Sequence, residues 1–194
     1  MDERVGAAVL AAGGGSRFVG PGPKLLAEVR GRPLVAWAVG AAVESGLTPV
    51  FVVSGAVDLV PVLEPFGLSD QVIVVDHAGW ADGQATSLAR AVQAAEVAGL
   101  SALVVGLGDQ PFIPAEAWRR VAGASVAHPI LVATYGGLRR NPVGLHRTAW
   151  SELSTEGDEG ARTLMARRPE LVREVPCPGE PADIDTLEDL TRWS

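Results

Sequence analysis

Between residues 9 and 26 the chain reads V-L-A-A-G-G-G-S-R-F-V-G-P-G-P-K-L-L. An apolar run empties into three glycines and is followed by Arg17 and Lys24. Glycine lets backbone N–H groups come close to a ligand, and successive N–H groups in such a turn form a concave anion site. Two cations beside that concavity suit a phosphate chain. The remaining chemistry is acidic. Asp109 stands in G-D-Q-P. Transfer of a phosphoryl or nucleotidyl group needs a divalent cation to neutralise phosphate charge, and Mg²⁺ takes one or two carboxylates with phosphate oxygens and water. Asp109 follows an apolar run, which puts it at the end of a strand.

The elements that must position these groups alternate along the chain. Strands are predicted over Val5 to Leu10, Pro49 to Val53, Val72 to Val75, Ala102 to Leu107 and Ile130 to Tyr135, with a short one over Pro142 to Leu145 and extended chain over Leu171 to Val175. Helices are predicted over Pro33 to Ser45, Val57 to Phe66 (weakened by two prolines), Thr86 to Ala98, Pro114 to Ala124, Gly160 to Arg168 and Thr186 to Arg192, with helical turns over Thr148 to Leu153. Apolar strands alternating with helices indicate an α/β fold, a mostly parallel sheet covered on both faces in a Rossmann-like three-layer sandwich. Residues 1–194 are expected to form one domain. In such a sheet ligands sit beyond the carboxyl ends of the strands, where the glycine loop and Asp109 both fall.

Two familiar phosphate loops do not fit. A P-loop needs glycine before the lysine and Ser or Thr after it, whereas Pro23 and Leu25 flank Lys24. The dinucleotide fingerprint places a third glycine where Phe18 stands, and G-P-G-P intervenes before any helix. The segment L-A-A-G-G-G-S-R-F…P-K-L-L, with G-R-P-L after it, resembles instead the signature of nucleotidyltransferases with a Rossmann-like fold. Phe18 replaces the usual methionine, and V-G-P-G-P is longer than the matching stretch in that family. The resemblance implies that Leu10, Ala11, Ala12, Gly13, Gly14 and Gly15 bind the nucleotide with Lys24, and that Arg17, Lys24 and Asp109 serve the reaction.

Later segments extend the likeness. G-D-Q-P resembles the family's metal-binding segment, and D-I-D-T-L-E-D-L resembles a D-I-D-T-P-E-D-L element of the members acting on molybdopterin, with Leu187 for proline. By that resemblance Asp109 and Asp185 hold Mg²⁺, with Asp183 a weaker candidate. Capping of a final helix by Asp185 or Thr186 explains the same residues structurally. W-A-D-G-Q-A-T-S-L resembles an element near the nucleotide and brings in Gly83 and Ser87; a buried helix position accounts equally well for Ser87. G-L-R-R-N-P-V-G-L and G-D-E-G-A-R resemble segments of the MobA/MocA-like, molybdenum cofactor cytidylyltransferase branch. They imply acceptor contacts from Asn141, Asp158 and Arg162, although Asn141 stands where that branch usually has histidine.

The implied activity is Mg²⁺-dependent transfer of a nucleotidyl group to a phosphorylated acceptor, with loss of pyrophosphate. L-A-A-G favours CTP over GTP by resemblance, and the acceptor favoured is molybdopterin, whose product a molybdoenzyme would receive. A guanylyltransferase or a sugar- or alcohol-phosphate nucleotidyltransferase shares these features. An NAD(P)-dependent oxidoreductase could use the same strand and loop, and a non-catalytic carrier of a pterin cofactor could bind without turnover.

Composition narrows the partners. The formal net charge of -7 in 194 residues gives no basic footprint for nucleic acid. Arg17, Lys24, Arg30 and Arg32 lie close together in sequence, as a local cluster that binds an anion against an acidic mean field or equally as a solvated charged face would have them. One cysteine, Cys177, excludes an internal disulfide. No signal peptide or membrane-spanning apolar run is apparent, so a soluble, cytoplasmic protein is expected. The lysine is expected in a flexible rim loop, so that removing it costs activity and little stability.

Overall fold

A computed structural model describes residues 4–15, 18–158 and 160–193. Strand β1 (Val5–Ala11) lies within a seven-stranded sheet. On one side of it stand β4 (Val50–Ser54) and then β5 (Ile73–Asp76), both parallel to their neighbours. On the other side β6 (Ala102–Leu107) is parallel to β1, followed by β8 (Leu138–His146), β7 (Ile130–Tyr135) and β9 (Val172–Pro176). Only β8 among these runs against the rest. The carboxyl ends of β1, β4, β5, β6, β7 and β9 therefore share one rim.

Alternation along β1 divides the interior into two layers. Ala7, Val9 and Ala11 face a core shared with helices α1 (Leu34–Glu44) and α4 (Ala115–Val121). Ala8, Leu10 and Ala12 face the opposite core, shared with α3 (Gln84–Val97) and α5 (Ala161–Arg167). A short helix α2 (Val60–Leu63) adds Leu63 to the first core. Each Val or Leu fully buried here contributes about 1.5–3 kcal/mol, which is the main term holding the layers together. Helix α4 comes unusually close to the sheet because two strand positions lack side chains. A Cβ at Gly106 would stand 2.5 Å from the Trp118 ring, and one at Gly144 would collide with the Val121 carbonyl.

The predicted strands and helices are all present, with ends that differ by a few residues. The largest difference is β8, which extends well beyond Pro142 to Leu145. Its pairing with β7 shifts register between Val132 and Ala133, so that Asn141 and Pro142 drop out of the ladder. Proline offers no N–H to such a ladder, and the bulge accommodates it. A small hairpin of β2 (Glu28–Val29) and β3 (Arg32–Pro33) was not predicted. Its turn residues Arg30 and Gly31 both have positive φ, as two-residue hairpin turns require.

That hairpin builds a third, minor core of Val29, Leu34 and Ile184, joined by Phe112, Leu190 and Trp193. Ile184 is wholly buried. It therefore pins the D-I-D segment beneath the rim, and its N–H donates to the Asp109 carbonyl at 3.2 Å. The final helix α6 (Leu187–Trp193) begins with a reciprocal cap: the Thr186 N–H donates to Asp189 Oδ2 at 2.9 Å, and the Asp189 N–H donates to Thr186 Oγ1 at 3.1 Å. Thr186, rather than Asp185, is the capping residue, which leaves the Asp185 carboxylate to another task. Among the described residues no helix is long and apolar enough to cross a membrane.

Candidate active site

The loop after β1 opens into a cleft of about 510 Å³. Leu10, Ala11, Ala12, Gly13, Gly14, Gly15, Lys24, Gly83, Ser87, Asp109, Asp158 and Asp185 all line it. Sequence reasoning singled out each of them, and the structure brings them to one place. Phe18, Leu25, Trp80, Ala81, Gln84 and Leu107 line it as well. Arg17 lies outside the described residues.

Lys24 occupies a short helical turn, Lys24–Leu26, at the end of the Gly-Pro stretch. Its side chain runs under the glycine loop: a Cβ on Gly15 would meet the Lys24 Cβ at 2.5 Å. The ammonium donates to Asp109 Oδ2 at 2.6 Å and to Asp185 Oδ1 at 2.5 Å. Only 7% of Lys24 is exposed. This corrects the expectation of a mobile rim lysine: Lys24 is buried and tied to two elements far away in the chain. Burial alone would depress its pKa. The charges and hydrogen bonds of Asp109, then Asp185, outweigh that effect and hold it above the ordinary lysine value.

The two aspartates reach the same point by different routes. Asp109 follows β6 directly, while Asp185 arrives on the segment pinned by Ile184. Asp109 Oδ1 is buried and makes no hydrogen bond among the described residues. An anionic oxygen in that condition is suited to a cation ligand, and a pair of converging carboxylates matches what Mg²⁺ takes from protein. The residues present therefore fit a divalent cation. Asp183 faces differently. Its Oδ1 accepts from Gln110 Nε2 at 2.8 Å, and burial, then the Asp109 charge, push its pKa up. Of the two candidates in the D-I-D segment, Asp185 is the one joined to Lys24.

The opposite wall is the W-A-D-G turn. The Trp80 ring lies on the glycine loop and on the end of β4, 3.1 Å from where a Gly14 Cβ would be and 2.7 Å from that of Gly55. Two residues that sequence reasoning passed over hold this turn. Thr86 Oγ1 donates to the Gly83 carbonyl at 2.7 Å, and His77 Nε2 lies 2.7 Å from the same hydroxyl. Burial, then the nearby Arg90 charge, lower the His77 pKa and so favour the neutral ring. Gly83 has φ 109° and ψ 167°, a region that is essentially glycine's alone. The 157–158 loop packs directly on it, and the Ala85 N–H donates to the Gly157 carbonyl at 2.9 Å. That contact brings Asp158 to the cleft.

Asn141 and Arg162 do not line the cleft. The Asn141 carbonyl accepts from the Tyr135 hydroxyl at 3.1 Å, and Arg162 is exposed on α5. A second hollow on the same rim, about 530 Å³, is bordered by Tyr135, Arg140, Glu180 and Asp183.

Residues 7–172 match the MobA-like NTP transferase domain. The chain belongs to that family. A curated relative, nicotine blue oxidoreductase of Paenarthrobacter nicotinovorans, is 32% identical and aligns over 95% of this chain and 93% of its own length. The solved homologue of Mycobacterium tuberculosis Rv0371c from Mycobacterium sp. strain JC1 superimposes with a TM-score of 0.81 at 26% identity, over 99% of this chain and 96% of its own. Rv0371c from M. tuberculosis H37Rv, solved in complex with manganese, gives a TM-score of 0.75 at 27% identity, over 98% and 97%. The domain is thus that of a nucleotidyltransferase, and its substrate is a nucleoside triphosphate.

Proposed function

We propose that the chain transfers a cytidylyl group from CTP to a phosphorylated acceptor, molybdopterin cofactor, and releases pyrophosphate. The observation that carries this reading is the meeting of Lys24, Asp109 and Asp185 at the mouth of the glycine loop. The loop N–H groups cradle the triphosphate, and the Lys24 ammonium balances charge on the α-phosphate and the departing pyrophosphate. By resemblance to the family signature, Arg17 would add a second positive charge. Asp109 and Asp185 are the residues to hold Mg²⁺, which when bound supplies Lewis-acid neutralisation of the phosphates.

The acceptor's phosphate monoester is mostly ionised at neutral pH, so the site needs no strong general base. None of the three histidines lines the cleft. Catalysis rests on positioning and on charge. The choice of CTP rests on L-A-A-G, and that of molybdopterin on the later segments. Asp158 is the acceptor-side residue within the cleft; Asn141 and Arg162 would act from outside its present walls.

Pyrophosphate release tests the reading, with CTP, GTP, ATP and UTP each offered with Mg²⁺, with and without molybdopterin cofactor. Release with CTP that requires the acceptor is expected. No release with any triphosphate contradicts it. A second reading, nicotinamide-dependent oxidation or reduction, is favoured by the 32% identity to nicotine blue oxidoreductase. Oxidation of NADH or NADPH without a divalent cation would support that reading over transfer.

A further inference from the structure

We propose that Lys24 holds the place of the divalent cation between Asp109 and Asp185, and yields it only when a phosphate chain draws the ammonium away. The inference deepens the nucleotidyl-transfer reading and rests on it. The ammonium touches both carboxylates at once, at 2.6 and 2.5 Å, from a side chain that is almost wholly buried. A cation entering between the same oxygens meets a position already filled by positive charge.

Charge counting shows what must accompany the exchange. Two carboxylates and one ammonium sum to one negative charge. Two carboxylates, a divalent cation and the displaced ammonium sum to one positive charge. Without an anion, that exchange leaves a buried ammonium unpaired, which is strongly unfavourable. A triphosphate on the glycine loop removes the obstacle. The lysine stem already lies against Gly15, so the ammonium has only to turn from the acids toward the loop. The buried, unpartnered Asp109 Oδ1 gives the incoming cation an oxygen that Lys24 does not use. Nucleotide and metal then bind as a coupled pair, and the two carboxylates stay bridged by the ammonium and metal-free until nucleotide arrives. Lys24 would serve as a counter-ion in one state and as a phosphate ligand in the other.

The test is Mn²⁺ binding without nucleotide, read from the loss of the free-ion electron paramagnetic resonance signal. Lys24→Met and Lys24→Gln both remove the ammonium. Each is expected to bind Mn²⁺ about tenfold or more tightly than the wild type, within the usual range for coupled sites. The gain should vanish when Asp109→Asn is added. Mn²⁺ should also raise the unfolding temperature of the Lys24 variants more than that of the wild type, because it replaces the missing charge. If both variants bind Mn²⁺ no more tightly than the wild type, while Asp109→Asn alone abolishes Mn²⁺-dependent binding of a non-hydrolysable CTP analogue, the carboxylates are the metal site and Lys24 does not guard it. If Asp109→Asn leaves that binding unchanged, the metal assignment falls and the exchange with it.

Discussion

Gly83→Ala is expected to cost about 1.5–4.5 kcal/mol, a figure that follows from three features of one contact. The first is backbone conformation: φ 109° and ψ 167° lie in a region that costs a side-chain-bearing residue roughly 1–3 kcal/mol. The second is space. The added Cβ would stand 2.5 Å from the Gly157 oxygen and 2.8 Å from Asp158 Oδ1, so the 157–158 loop must retreat. The third follows from that retreat, which breaks the Ala85 N–H to Gly157 carbonyl bond, worth about 0.5–1.5 kcal/mol. Gly157→Ala supplies the control. Gly157 also has positive φ, 87°, but a Cβ there meets nothing within 4 Å, so only the conformational cost applies, about 1 kcal/mol. Urea unfolding of both variants gives the comparison, and calorimetric titration with CTP gives the functional half. Gly83→Ala should be the less stable of the two and should bind nucleotide more weakly, because Trp80, Ser87 and Asp158 are all placed through this contact. Equal stabilities would refute the argument that the loop is seated on Gly83.

Three further outcomes follow from the site. Lys24→Met should lower stability by about 1–3 kcal/mol in urea melts, between the values for exposed and buried ion pairs, because it leaves two carboxylates facing each other; an unchanged midpoint would mean the ion pairs carry no net stabilisation. Asp183→Asn should gain stability relative to the wild type as the pH rises. The pKa of Asp183 is raised in the fold, so the stability it contributes is present below the unfolded value near 3.8 and is lost as the pH climbs through its folded value. A difference that stays constant between about pH 4 and pH 8 would count against this. Trp80→Ala should weaken nucleotide binding and cost about 1–2 kcal/mol, less than a fully buried aromatic because Trp80 is half-buried; unchanged binding by calorimetry would remove Trp80 from the nucleotide site.

The sheet was legible because its strands are apolar runs closed by glycine or proline, and such runs have few other ways to bury themselves. The rim position of Asp109 followed from the end of β6 alone. The β2–β3 hairpin escaped notice because two residues per strand carry no periodicity, yet it builds the core that fixes Ile184 and so places Asp185. The state of Lys24 was not legible. A proline- and glycine-rich neighbourhood reads as a mobile loop, while the contacts that bury the residue come from 85 and 161 positions away. Asn141 was singled out by its segment; in the structure it lies at the bulge of β8, its carbonyl accepts from the Tyr135 hydroxyl, and it does not line the cleft.

A crystal structure with a non-hydrolysable CTP analogue and Mn²⁺ tests the central claim most directly, with anomalous scattering locating the metal. The account predicts the triphosphate against Gly13 to Gly15, the Mn²⁺ peak between Asp109 and Asp185, and the Lys24 ammonium turned onto phosphate. A nucleotide bound elsewhere, or a metal peak away from both aspartates with Lys24 still between them, would contradict it.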